Sequence, residues 1–297
     1  MAEPFIRRAR RVFSFRLSFC AALALLLSAC AATPPPSATG PRPEGPPYPV
    51  VMAESDERRQ TTLAAWEKLA GEQGIERVPA PELQPVTASI RSLPSLTTAL
   101  YLPKIGDSNS SRSKQTWEDA TTEALRRFID SNARLFGAEA QQLSLVLLTD
   151  AADGTKKAKY QQRPFRYQLR NGFGELEITF TADRRILQIT STCIPEIEQL
   201  QRAGTSIRPR YSADEAVQRM MGRTFTYTDA AGNPQSHTTQ PGDTIILREL
   251  VVYPILQPGP TPALEFHLAW EVMLARLPAQ AVYLDAITDE IIAVAPR

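Results

Sequence analysis

The sequence predicts an α+β protein of two small modules, each a helix packed on an antiparallel sheet, placed after a signal peptide and a proline-rich tether. Three observations lead there. A segment with apolar residues at three-to-four spacing begins near residue 116 and is followed by several short strand-like runs, and the same order returns near residue 212. Helical and extended segments are grouped rather than strictly alternating, as in α+β chains. The composition, 43% hydrophobic and 22% charged over 297 residues, supplies enough apolar material for folded cores.

The elements follow in chain order. Arg7, Arg8, Arg10, Arg11 and Arg16 form a positive stretch, and Leu17 to Leu27 is almost wholly apolar. That run is shorter than the roughly 20 residues a bilayer span needs, so residues 1–29 read as a secretory signal. The run ends in Leu27-Ser28-Ala29-Cys30, which resembles a bacterial lipobox. Leu27, Ser28 and Ala29 would be recognised by the signal peptidase, the small Ser28 and Ala29 fitting its cleft. The Cys30 thiol would accept the lipid, including acyl groups such as palmitate, and become the mature N-terminus. An ordinary signal peptide or an uncleaved anchor competes with this reading, and the complete order of segments favours the lipoprotein. Arg10-Arg11-Val12-Phe13 resembles a twin-arginine export signal, although a plain arginine-rich stretch is the preferred account. Cleavage removes the five arginines with Glu3, so the precursor's formal +1 becomes a small negative charge.

Residues 30–54 then hold the lipidated cysteine and a tether. Pro34-Pro35-Pro36, Pro41, Pro43, Pro46-Pro47 and Pro49 favour an extended spacer of about 3.1 Å per residue. Residues 55–114 are a helix and an irregular lead-in. The helix covers 55–71, with Ser55 as N-cap and Gly71 beyond its end. Residues 79–114 lack a clear pattern apart from a short apolar stretch, Leu93 to Leu102.

The first module is placed at 115–197. Its helix starts near Thr116, which can cap it, with Asp119 three residues on. Ala120, Ala124, Leu125, Phe128, Ile129 and Asn132 share one face, and Leu135-Phe136-Gly137 closes the element. Strands are expected at Leu143 to Leu148, Lys156 to Gln162, Phe165 to Leu169, Glu175 to Ala182 and Ile186 to Thr192. Turn signals stand at Asp153-Gly154 and Ala182-Asp183-Arg184. The second module is placed at 198–297. Pro195 to Arg210 reads as a linker. Ser212 and Glu215 form a capping box ahead of Ala216, Val217 and Met220. Residues 224–243 are polar and turn-rich. Strands follow at Ile245 to Tyr253, Leu264 to Leu274, Ala281 to Leu284 and Ile291 to Val294.

Composition also excludes. Thirty-three basic against 32 acidic residues leave no cationic excess for a nucleic-acid partner. No glycine-rich phosphate loop follows a strand. After lipidation of Cys30, Cys193 is the remaining free thiol, expected to be buried and structural. His237 reads as a solvated loop histidine and His267 as a face-exposed strand histidine. Asp130 with Asp119, and Asp285 with Asp289 and Glu290, read as solvated turn carboxylates rather than an acid–base pair. No catalytic residue, metal site or cofactor is expected. One basic run, with Lys157, Lys159, Arg163 and Arg166, offers a binding face for an anionic surface. Simple alternation on an exposed strand is the plainer account of the same residues.

Against that background, Phe128-Ile129-Asp130-Ser131-Asn132 with Leu135-Phe136-Gly137 resembles the helix of the fungalysin/thermolysin propeptide (FTP) module. Lys159-Tyr160-Gln161-Gln162, Gly174-Glu175-Leu176 and Ile194-Pro195 are similar to its following strands and exit. Ser212-Ala213-Asp214-Glu215-Ala216, Leu250-Val251-Val252-Tyr253-Pro254, Leu268-Ala269-Trp270-Glu271-Val272 and Tyr283-Leu284-Asp285-Ala286-Ile287-Thr288 resemble a PepSY domain. The resemblance implies cystatin-like and PepSY-like modules in the order found in propeptides of thermolysin-like zinc peptidases. The sequence departs from that pattern in three places. It stops where the family's catalytic domain would begin, and it holds no His-Glu-x-x-His motif. The tight turn usual between Gln162 and Gly174 is replaced by Phe165-Arg166-Tyr167-Gln168-Leu169. Thr288-Asp289-Glu290 lacks the glycine usual at that turn.

The expectation is therefore a non-catalytic lipoprotein of the bacterial cell envelope, membrane-anchored through lipid on Cys30 and facing the periplasm. Ala31, where an aspartate would signal inner-membrane retention, favours the outer membrane. The resemblance implies a role in binding, inhibiting or assisting the folding of a secreted zinc metallopeptidase. An envelope module contacting glycan, lipid or outer-membrane proteins, with no peptidase partner, is the alternative. No nucleic-acid partner is expected, and nothing in the sequence sets an oligomeric state.

Overall fold

In the first half of the chain, three helices and one two-stranded ribbon share a core with a five-stranded sheet. The computed structural model describes residues 47–105, 114–163, 166–277 and 280–296, without the side chains of 114–117. Leu27, Ser28, Ala29 and Cys30 lie outside the described residues. The architecture is α+β, with several antiparallel sheets and, among the described residues, five α-helices.

Strand β1, Val50–Ala53, comes first, followed by helix α1, Asp56–Glu72. Ser55 caps α1 as expected, its Oγ accepting from the Arg58 N–H at 3.2 Å, with Asp56 and Glu57 in the first turn favouring the positive helix end. Thr62, Trp66, Leu69 and Ala70 form its buried stripe. Gly71 lies inside the last turn rather than beyond it. The chain turns at Gly74, whose φ of 72° is the left-handed geometry that glycine adopts at little cost.

The described part of the lead-in, 79–105, is more ordered than its sequence pattern suggests. It contains β2 (Glu82–Leu83), β3 (Ile90–Ser92) and β4 (Leu100–Tyr101). Strands of two or three residues are too short to show a period. They still bury Ile90, Leu100 and Leu102 in the first core.

Helix α2 spans Lys114–Ser131, two residues earlier than the expected start at Thr116. Its apolar face is the expected one: Ala124, Leu125, Phe128 and Ile129 are buried. Asn132 ends it by donating its side-chain amide to the Phe128 carbonyl at 2.8 Å, satisfying a carbonyl the helix leaves open. A short helix α3, Ala133–Phe136, follows and stops at Gly137, φ 73°.

The first sheet has the order β4-β9-β8-β6-β5, with every pairing antiparallel. Its main strands are β5 (Leu143–Asp150), β6 (Thr155–Gln162), β8 (Glu175–Thr181) and β9 (Arg185–Ser191). The turns fall at Gly154 and Arg184, both at positive φ, where the turn signals stood. Leu176, Ile178, Phe180 and Ile189 meet Trp66, Leu125, Ile129 and Phe136 in one core. Cys193 is fully buried in it, as expected.

The expected strand at 165–169 departs from this meander. Only Gln168–Leu169 (β7) is extended, and it pairs parallel with a strand of the second sheet. Phe165 lies outside the described residues. The expected linker after Pro195 contains helix α4, Ile197–Thr205. That helix shows no side-chain N-cap, and only Ile197 and Leu200 are buried, so little in its sequence announces it.

Helix α5, Ala213–Met220, carries the expected capping box: Ser212 Oγ accepts from Glu215 N at 3.3 Å, and Glu215 Oε2 accepts from Ser212 N at 2.6 Å. The polar segment after it is a hairpin, β10 (Thr224–Thr228) with β11 (Pro234–Thr238). Phe225 is its one buried side chain, so alternation is invisible in its sequence.

Strands β12 (Ile245–Gln257), β13 (Ala263–Leu274), β14 (Gln280–Asp285) and β15 (Ile291–Pro296) form the second sheet, with order β15-β14-β13-β12-β7. Residues 50–53, read as tether, add β1 to β13, with Val50 opposite Phe266. Tyr211, Ala216, Met220, Val272, Val282 and Leu284 pack α5 on this sheet. Asp289 stands at φ 66° where the resemblance leads one to expect glycine. Its carboxylate is held by Arg219 at 2.8 Å and Arg223 at 2.7 Å.

Candidate functional site

A cavity of about 550 Å³ opens where α4, β1, β12, β13 and the chain between β6 and β7 converge. Val50, Leu200, Ile207, Val252, Phe266 and Leu268 give it an apolar lining. The strand periodicity explains this: Val252, Phe266 and Leu268 project from adjacent antiparallel strands in register, with Val252 paired to Leu268. Helix α4 contributes the buried Leu200 and the side-chain-free Gly204.

Three exposed arginines also line the cavity: Arg163, Arg166 and Arg208. Each is steadied by a neutral group. Arg163 Nε donates to Ser144 Oγ. The Arg166 guanidinium lies 5.6 Å from the centroid of the Tyr167 ring. Arg208 Nη1 donates to the carbonyls of Thr205 and Ile207. No ion pair to a carboxylate is formed by any of the three among the described residues.

The polar corner is built by Tyr48 and His267, with Asp285 behind them. Asp285 is fully buried. Its Oδ2 accepts from the Tyr48 hydroxyl at 2.7 Å and from His267 Nδ1 at 2.8 Å. Its Oδ1 accepts from the backbone N–H groups of Ile287 at 2.8 Å and Thr288 at 2.9 Å. Burial alone would raise this carboxyl's pKa, but the donors outweigh it and hold the pKa below its ordinary value. His267 has the mirror balance. Burial disfavours the imidazolium, while Asp285 and Glu265, whose Oε2 lies 3.4 Å from Nε2, favour it more strongly, so its pKa is raised. Burial and the neighbouring carboxylate push the Tyr48 phenol well above its ordinary value, which keeps it a donor.

His267 is therefore not face-exposed as expected: only 12% of its side chain is open to solvent, and the Tyr48 ring stands edge-on against it at 5.8 Å. His237 is not a loop residue either. It sits in β11, and its Nε2 is 3.0 Å from the buried Asp243 carboxylate. Of the other carboxylates weighed in the sequence, Asp130 pairs with Arg126 at 2.8 Å and accepts from Ala140 N at 3.0 Å, whereas Asp119 and Glu290 are exposed.

The basic run divides. Lys157 pairs with Glu177 at 2.8 Å and Lys159 with Glu175 at 2.9 Å, each reaching diagonally from β6 to β8. Lys156 turns inward onto Asp150 at 2.6 Å. Arg163 and Arg166 instead border the cavity. Sequence reasoning missed Tyr48, Arg208 and Asp285 as partners of this region. Tyr48 lay in a proline-rich stretch, 237 positions from Asp285, and carried no local signal.

Among the described residues, no group of three or more His, Cys, Asp and Glu side chains is placed to hold a metal ion. Among them, too, no helix is long and apolar enough to cross a membrane. No protein-family model matches the chain, and no curated protein matches it.

Proposed function

We propose that this chain is a non-catalytic, lipid-anchored protein of the bacterial envelope that binds a secreted zinc metallopeptidase through two propeptide-like modules. The observation that carries the reading is the repeated order of helix and antiparallel meander. Helix α2 packs on β5, β6, β8 and β9, and helix α5 packs on β12 to β15. That is the tandem order which the resemblance to FTP and PepSY modules implies. A prodomain of this kind acts by surface complementarity around buried apolar anchors. We assign the contact to the edge strand β5, where Leu145, Val146 and Leu147 are consecutive exposed apolar residues and Val146 is 55% open. A register irregularity between Leu145 and Leu147 exposes this run.

The test is inhibition of a thermolysin-like peptidase by the full chain. Saturable inhibition that weakens at least roughly tenfold in a Val146→Asp variant supports the reading. No complex with any such peptidase from the same envelope and secretome overturns it.

A second reading is an envelope module that contacts glycan, lipid or outer-membrane proteins without a peptidase partner. It is favoured by the arginine-bordered cavity on the second sheet, whose lining includes no residue of β5.

A further inference from the structure

We propose that the cavity between α4 and the second sheet binds an anionic amphiphile: an acyl chain that ends in a carboxylate or a phosphate. Two independent features of the cavity select that chemistry. The inner lining is aliphatic and aromatic, from Val50, Leu200, Val252, Phe266 and Leu268. Its volume, about 550 Å³, falls within the roughly 300–1,000 Å³ of small-ligand pockets. The outer lining is cationic. Arg163, Arg166 and Arg208 come from two separate chain segments, and among the described residues no acidic side chain lines the cavity.

The arginines are preorganised for an anion. One nitrogen of Arg163 and one of Arg208 are held by neutral acceptors, and Arg166 rests against Tyr167. A guanidinium has five N–H donors, so each keeps donors for a carboxylate or phosphate. The nearby carboxylates do not line the cavity. Asp285 and Glu265 are both turned onto His267, which is held toward its cationic form between them. A neutral amphiphile would satisfy the lining and leave the arginines unused. A hydrophilic anion would satisfy the arginines and leave the apolar surface wet.

Arg166 and Tyr167 belong to the segment that replaces the tight turn usual in the resembling modules. The cavity is thus built in part from the feature that sets this sequence apart. Ligand binding here requires no peptidase, so failure of either proposal leaves the other standing.

The experiment is calorimetric titration of the full chain carrying Cys30→Ser, so that no attached acyl group competes. Dodecanoate and dodecyl phosphate serve as probes below their micelle concentrations, with dodecyl maltoside as the neutral comparison. We expect saturation at one anionic amphiphile per chain. Affinity should rise roughly three- to fourfold for each methylene added from octanoate to dodecanoate. It should fall at least roughly tenfold in the combined Arg163→Gln, Arg166→Gln, Arg208→Gln variant, whose exposed positions leave the cores intact. Preference for dodecanoate points to free fatty acid as the source, and preference for dodecyl phosphate to a phospholipid. Equal binding of dodecyl maltoside, no dependence on chain length, or unchanged affinity in the arginine variant overturns the proposal. So does capture by phosphatidylglycerol vesicles without binding of either monomeric probe, which marks a surface patch instead of a cavity.

Discussion

The Tyr48 hydroxyl donates a 2.7 Å hydrogen bond to Asp285 Oδ2 and accepts one from the Leu268 N–H at 2.9 Å. One phenol thereby ties the first described turn of the chain to the last hairpin and to the central strand β13. The buried carboxylate needs this: an Asp285 with too few donors would leave uncompensated charge in the interior.

Tyr48→Phe removes that donor and acceptor while keeping the ring against His267. We expect a loss of about 1–3 kcal/mol, the cost of leaving buried polar groups without their partner. The check is urea denaturation of wild type and variant. A change below about 0.5 kcal/mol, the usual range of a surface substitution, would show that water replaces the phenol freely.

Stability should also depend on pH in a defined direction. His267 has its folded pKa raised above 6.5, so the stabilisation it brings is complete below that value. It is lost as pH rises through the folded pKa. Asp285 has its folded pKa lowered below 3.8, so its contribution is present above that value and disappears as pH falls further. A tenfold difference in proton affinity between the folded and unfolded chain corresponds to about 1.4 kcal/mol. Denaturation curves from about pH 5 to pH 9 should show stability declining on the alkaline side of 6.5 in wild type, and a flatter profile in His267→Gln. An identical slope in the variant would remove His267 as the source.

Much of the fold was legible in the sequence where a local signal and the tertiary structure agree. Ser55, Ser212 with Glu215, and Gly137 are caps whose chemistry is local, and all three stand at helix ends. The face of Ala124, Leu125, Phe128 and Ile129 was legible because one helix buries it against one sheet. What was not legible depends on partners distant in sequence. Gln168–Leu169 is a strand only because β12 lies beside it. Val50–Ala53 looked like tether until β13 paired with it. The candidate site was legible in part. Arg163 and Arg166 were singled out, but as members of an exposed run with Lys157 and Lys159. Glutamates on the neighbouring strand take up the two lysines. The apolar lining and Arg208 emerge only when helix α4, itself read as a linker, packs on the second sheet, and the Tyr48–Asp285 contact only when β1 joins β13.

Gly137 ends helix α3 close to the chain that follows β9, and its conformation can be tested against a matched control. Its φ is 73°, and an added Cβ would lie 3.2 Å from the Cys193 carbonyl oxygen. Gly154 has φ 82° in the β5–β6 turn, with nothing within 4 Å of such a Cβ. Alanine at either position incurs the left-handed backbone penalty, about 1–2 kcal/mol. Only Gly137→Ala must also displace the chain at Cys193, next to Ser191, whose hydroxyl donates to the Phe136 carbonyl at 2.6 Å in the buried core. We therefore expect Gly154→Ala to lose about 1–2 kcal/mol, and Gly137→Ala to lose about 1 kcal/mol more because a close-packed interior yields little. Urea denaturation of both variants measures the difference. Equal losses would mean that the chain at Cys193 shifts freely and that its close approach to the end of α3 does not hold the module closed.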